Sequence, residues 1–156
     1  MKISVVLTAR DAAETLEEAV ASVLCQSYHD FEVMLVDNGS RDETREQMQV
    51  IARDDPRVSV LATDGTHVEA HQLGIEAARG ELIARMDADD VCHADRFARQ
   101  VEMLDADASL SGCVCGVRVK SRGREVGEGF LKYVEWLNGL LTPDDIARER
   151  PFNHST

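Results

Sequence analysis

The chain has 156 residues, 44% of them hydrophobic, which suits one globular domain with a real core and excludes a disordered chain. Its net charge is −12 and no basic patch interrupts the acid, so no nucleic-acid partner is expected. No stretch is long and apolar enough for a signal-peptide core or a transmembrane segment; the location expected is cytoplasmic, the membrane's cytoplasmic face included.

Taken in order, the chain alternates strand and helix. Ile3 to Leu7 is a continuous apolar run and predicts a strand. Leu16, Ala19, Val20, Val23 and Leu24 recur at helical spacing and predict a helix over residues 12–26. Phe31 to Val36 predicts the second strand, which ends at the turn sequence Asp37-Asn38-Gly39-Ser40. Ser40 or Asp42 is placed to cap the next helix, which runs to about Arg53 and is closed by Asp54-Asp55-Pro56. Val58 to Leu61 is a third strand, and His67 to Ala78 a third helix with Gly80 as its C′ residue. Leu82 to Met86 then reads as a buried strand that stops at Asp87-Ala88-Asp89-Asp90.

The later part is less regular. Arg96 to Leu104 predicts a helix, and Leu110 to Val119 a strand that carries Cys113 and Cys115 on one face as buried thiols. With Cys25 and Cys92, these cysteines match no common zinc spacing. Ser121-Arg122-Gly123-Arg124 predicts a hairpin turn. Phe130, Tyr133, Val134, Trp136, Leu137, Leu140 and Leu141 make a wide apolar helix face, expected to pack in the core, because Lys132 is the one basic residue there to meet a membrane. Thr142 caps a last short helix with Pro143 at its first position.

Successive strand–helix units predict a mainly parallel, Rossmann-like α/β sheet flanked by helices, with its ligand site at the strands' carboxyl ends. Three of those ends are polar: Thr8-Ala9-Arg10-Asp11, Asp37-Asn38-Gly39-Ser40 and Asp87-Ala88-Asp89-Asp90. Asp87 and Asp89 are two apart, so along an extended backbone they share a face. A carboxylate pair there is costly to desolvate, and a divalent cation with a taste for hard oxygen, Mg²⁺ or Mn²⁺, is the usual compensation. The plainer alternative is that Asp89 or Asp90 only caps the following helix.

In order, these segments resemble the nucleotide-sugar-binding half of family 2 glycosyltransferases, which have the GT-A fold. Ser4 to Asp11 is similar to the family's opening strand and loop. Glu17 to Gln26, Ser27-Tyr28 and Phe31-Glu32-Val33 resemble its first helix and second strand. Val36-Asp37-Asn38-Gly39-Ser40-Arg41-Asp42-Glu43-Thr44 is similar to V-D-D-G-S-x-D-x-T. Ala77-Ala78-Arg79-Gly80-Glu81 and Met86-Asp87-Ala88-Asp89-Asp90 resemble the approach to the D-x-D motif. Tyr133 to Leu137 and on through His154-Ser155-Thr156 match more loosely, in the manner of one bacterial subgroup.

The resemblance implies a metal-dependent, inverting transfer of sugar from a nucleoside-diphosphate sugar to a hydroxyl of a saccharide, lipid or other acceptor. It implies that Asp37 accepts a hydrogen bond from the base edge and that Thr8, Ala9, Arg10 and Asp11 line base and ribose, with Asn38 and Ala88 completing the lining. Asp87 would contact the ribose or the metal, and Asp89 would ligate Mg²⁺ or Mn²⁺. Several positions depart from the family: Arg10 stands where an aromatic is usual, Asn38 replaces an Asp, Thr8 replaces a frequent Pro, and Thr66-His67 lacks a frequent Gly.

The division expected is a single glycosyltransferase-like domain over 1–156, with 1–105 the nucleotide-sugar-binding half and 106–156 the start of the acceptor side. No acidic motif after Asp90 matches the family's general base, which is expected beyond Thr156 in a truncated member. Donor binding without efficient transfer is the corresponding expectation. Two alternatives remain: a non-catalytic nucleotide-sugar-binding module, and a haloacid-dehalogenase-type phosphotransferase, which also uses a strand ending in D-x-D.

Overall fold

The computed structural model describes residues 1–121, 123 and 125–149. They form two compact units, Met1–Leu110 and Ser111 onward.

The first unit is a four-stranded parallel sheet of β1 (Ile3–Ala9), β2 (Phe31–Asn38), β3 (Val58–Thr63) and β4 (Leu82–Asp87), in the order β3-β2-β1-β4. Every residue of β1 and β2 is buried, as strands covered on both faces require. β3 and β4 are the edges, and their mixed burial follows from that. The connecting helices are α1 (Leu16–Leu24), α2 (Thr44–Asp54) and α3 (His67–Ala77), followed by α4 (Arg96–Ala106).

Alternation along β1 sends its residues to two cores. Ile3, Val5, Leu7 and Ala9 pack with Leu16, Val20 and Val23 of α1, Met48 of α2, and Phe97 and Val101 of α4. Val6 packs instead with Val36 and with Ala70 of α3. Ser4 lies on the α3 side too, and its register partner is Glu32. Glu32 is only 1% exposed. Its carboxylate accepts from Ser4 Oγ at 2.7 Å, from the Arg79 backbone N–H at 2.8 Å and from Arg79 Nε at 3.0 Å. Burial alone would raise its pKa, but the bonds from Arg79 and Ser4 outweigh it and hold the carboxyl below its ordinary range.

That network explains one difference from the sequence reading. Gly80 is not a helix C′ residue; α3 already ends at Ala78 in an extended conformation. Instead the Gly80 N–H donates to Ser4 Oγ at 2.8 Å, and a Cβ on Gly80 would lie 2.5 Å from the Ser4 backbone nitrogen. The glycine is there because the chain entering β4 runs hard against β1.

The second unit holds α5 (Glu128–Asn138) and α6 (Pro143–Glu149). Here two expectations are corrected. The described residues of 110–119 form no strand; this glycine-bearing segment is irregular, tied by Asn138, which accepts from the Val117 N–H and donates to its carbonyl, each at 2.8 Å. Without the strand, Cys113 is half-buried and Cys115 exposed, and Cys25 and Cys92 are not fully buried either. No residue of α5 is buried. Its aromatics lie against one another, with centroids 6.3 Å apart for Phe130–Tyr133 and 5.5 Å for Tyr133–Trp136. The expected cap of α6 is present: Thr142 Oγ1 accepts from the Asp145 N–H, and Asp145 accepts from the Thr142 N–H. The expected hairpin turn includes Arg122 and Arg124, which lie outside the described residues, as do His154, Ser155 and Thr156.

Candidate functional site

The order β3-β2-β1-β4 reverses direction at β1: the chain moves outward from β1 through β2 to β3, then crosses back to β4. Ligands of open α/β sheets bind at the carboxyl ends beside such a reversal. The register brings the predicted residues together there. Ala9 at the end of β1 pairs with Asp37 of β2, and Thr8 pairs with Asp87 of β4. Thr8, Ala9, Asp37, Asn38 and Ala88 are buried, Asp87 is half-buried, and Arg10, Asp11 and Asp89 are exposed. The site is therefore a buried floor with a charged rim.

The loops after β1 and β2 are laced to each other. The Asp11 N–H donates to Ser40 Oγ at 3.1 Å, and Asp11 Oδ1 accepts from the Arg41 N–H at 2.7 Å. The Ala12 N–H donates to Thr44 Oγ1 at 2.8 Å and the Ala13 N–H to Asp42 Oδ2 at 3.1 Å. This lacing holds Asp11 at a φ of +49°, a left-handed conformation that is uncommon outside glycine. Gly39, at +68°, lets the β2 loop turn back so that the Ser40 N–H reaches Asp37 Oδ1 at 3.1 Å. Ser40 is thus a loop tie rather than a helix cap. Asp42 does serve the helix start, accepting from the Thr44 N–H at 3.0 Å. Asn38 is 6% exposed, and its Oδ1 has no hydrogen-bond partner among the described residues, an acceptor left open at the end of β2.

Neither Asp89 nor Asp90 caps a helix, since α4 begins at Arg96 behind Asp95. Burial of its carboxyl, then the charges of Asp89 and Asp87, push Asp90 above the ordinary carboxylate range, against the pull of Arg96. Three carboxylates crowded at one strand end, one of them destabilised by the others, fit a divalent cation with oxygen ligands. Asp87 and Asp89 are the residues that would hold it.

A second group at this end was not anticipated. His67 and His71, one turn apart on α3, bring their Nε2 atoms to 3.1 Å, and their ligand atoms and that of Asp87 all lie within 4.8 Å of one another. Thr8 Oγ1 is 3.4 Å from His71 Nε2. Arg85 closes the cluster, 3.3 Å from His67 Nε2 and 3.5 Å from Asp87. Burial, then Arg85 and His67, depress the His71 pKa, with Asp87 opposing. The H-x₃-H spacing was the signal available in the sequence; that it faces Asp87 was not.

Buried parallel strands, polar loops at the reversal and an acidic strand end define a GT-A-type α/β domain, the class of the folds it matches. S. aureus TarS, in a crystal structure of its residues 1–349 with UDP-GlcNAc, superposes at a TM-score of 0.62 with 22% identity, covering 68% of this chain and 32% of that one. A mannosyltransferase from Pyrobaculum calidifontis, in complex with GDP-Man and Mn²⁺, gives 0.62 with 24% identity over 66% of this chain and 32% of that one. The model of Glycosyl transferase family 2 matches residues 4–151, and the chain belongs to that family. Succinoglycan biosynthesis protein ExoO of Rhizobium meliloti is 39% identical over 106 residues, 67% of this chain and 30% of that protein. Glycosyltransferase GlyG of Streptococcus pneumoniae is 36% identical over 113 residues, 69% of this chain and 38% of that protein. The chain thus spans about a third of the length of these relatives. The haloacid-dehalogenase alternative falls with the family, and with the motif's place on the fourth strand rather than the first. No helix among the described residues is long and apolar enough to cross a membrane.

Proposed function

We propose that residues 1–105 bind a nucleoside-diphosphate sugar for transfer to an acceptor hydroxyl, with 106–156 beginning the acceptor side. The observation that carries this reading is the register that sets Asp37 and Asp87 on either side of the end of β1. In it, Asp37 accepts a hydrogen bond from the base edge, while its other role, holding the Ser40 N–H, keeps the loop shaped to receive the base. Thr8, Ala9, Arg10 and Asp11 line base and ribose, and the guanidinium of exposed Arg10 supplies a planar surface where the family usually has an aromatic ring. Asn38 and Ala88 form the floor beneath them. Asp87 contacts the ribose or shares with Asp89 a bound Mg²⁺ or Mn²⁺. That cation would neutralise charge on the departing diphosphate. In the inverting displacement, the acceptor oxygen bonds to C1 of the sugar, its proton passes to a general base, and the C1–O bond to the diphosphate breaks. The reading places the enzyme in the cytoplasm, where nucleotide sugars would meet a saccharide or lipid acceptor.

The test is calorimetric titration of the purified chain with UDP, GDP and their sugars, with Mn²⁺ and with EDTA. Saturable binding that needs the cation supports the reading. No binding of any nucleoside diphosphate under either condition removes it.

A further inference from the structure

We infer that His67, His71 and Asp87 form a site for a borderline divalent transition cation of the Zn²⁺ or Co²⁺ class, distinct in ligand chemistry from the oxygen site of Asp89. The geometry is that of a chelate. Two imidazoles one helical turn apart converge with Nε2 atoms 3.1 Å apart, and their rings cross at 88° with centroids at 4.5 Å. The carboxylate comes from the neighbouring strand, so the ligands span α3 and the end of β4. Imidazole nitrogen suits Zn²⁺, Co²⁺ and Ni²⁺, whereas Mg²⁺ prefers all-oxygen surroundings. Three protein ligands leave a coordination position for water or a ligand oxygen.

The helix start that carries His67 is firmly set. Thr66 and Glu69 form a reciprocal capping box, with the Thr66 N–H donating to Glu69 at 2.6 Å and the Glu69 N–H to Thr66 Oγ1 at 3.3 Å. Asp87 is held in register by Thr8 across the β1–β4 ladder. The ligands are thus carried by regular elements rather than by free loops, which favours a defined cation geometry.

Arg85 opposes the site. Its guanidinium contacts both His67 and Asp87, is permanently charged, and stands where it repels an entering cation. Its side chain is 48% exposed and has solvent to turn into. Its contact with Asp87 competes with a cation for that carboxylate. Removing it should therefore improve cation binding, which a purely hydrogen-bonded histidine pair would not show.

The experiment uses the tag-free chain without nucleotide, in a Cys113→Ser, Cys115→Ser background that removes two thiols able to take up the same ions elsewhere in the chain. Zn²⁺, Co²⁺ and Mg²⁺ are titrated by calorimetry, and imidazole ¹⁵N resonances report where the ion sits. One Zn²⁺ or Co²⁺ per chain is expected, with shifts at His67 and His71 that Mg²⁺ alone does not produce. His71→Ala, or the exposed His67→Ala should the first fail to fold, should weaken binding about tenfold or more, the least that even an outer-sphere change costs. Arg85→Ala should tighten it, and Asp89→Ala should leave it unchanged. Absence of saturable binding, unmoved histidine resonances, or binding lost with Asp89 rather than with the histidines overturns the site. Because no nucleotide is present, that failure is separate from any failure of the donor-binding reading.

Discussion

Replacing Glu32 with Gln should destabilise the first unit by about 2 kcal/mol, the loss expected when hydrogen bonds to a charged acceptor disappear without full rehydration. The carboxylate lies at 1% exposure near the amino end of the inner strand β2 and receives four hydrogen bonds. Glutamine keeps one oxygen, which continues to serve Ser4 Oγ and the Arg79 N–H. Its amide nitrogen then faces the Arg79 Nε and Nη2 donors, and those two bonds are lost. The Arg79 side chain is 71% exposed and turns to water, so the loss stays below the roughly 3–5 kcal/mol of a fully buried pair. Glu32→Ala, which leaves Ser4 and the Arg79 N–H facing a cavity, should approach that larger value. The acid dependence has a definite sign. Glu32 is held below its ordinary pKa, so its contribution is complete above the unfolded carboxylate range and fades as pH falls through its depressed folded value. Urea unfolding of wild type and Glu32→Gln at a series of pH values checks this. The gap between them should be constant near neutrality and close under acid. A gap that is negligible at neutral pH, or that does not change on acidification, refutes the account of this network.

Three further outcomes follow from the site and its supports. Asp37→Asn keeps an acceptor for the Ser40 N–H but loses the charge, and should weaken nucleotide binding by roughly 1–3 kcal/mol with little change in the urea midpoint; equal loss of fold and binding would show a structural role alone. Asp89→Ala should remove the Mn²⁺-dependent part of nucleotide stabilisation, which is about 2.7 kcal/mol at a hundredfold excess over Kd, as read by thermal shift with metal or EDTA. Gly80→Ala should cost about 1–3 kcal/mol of stability, because its Cβ meets the Ser4 backbone rather than a movable side chain; an unchanged unfolding midpoint would show that the β1–β4 approach relaxes freely.

The sequence by itself determined the order and type of the elements in the first unit, because local signals suffice for that. The unbroken apolar runs of β1 and β2, the helical spacing from Leu16 to Leu24, and the turn residues Asp37-Asn38-Gly39-Ser40 each act within a few positions. The polar strand ends were legible for the same reason, and parallel topology required them to converge. The segment from Leu110 to Val119 shows the limit of such signals: β-like composition makes no strand without a partner strand to pair with. The apolar face of α5 shows it again, since periodicity marks which residues share a face but not whether anything covers them. Tertiary structure alone decided the rest. A glutamate in an apolar strand does not announce that a side chain 47 positions later will neutralise it. Two histidines one turn apart do not say which strand they face. Ser40 and Asp42 read as cap candidates until the β1 loop supplies the backbone N–H groups they accept from. In each case the partner is remote in sequence, and only the packing of the sheet brings it within hydrogen-bond distance.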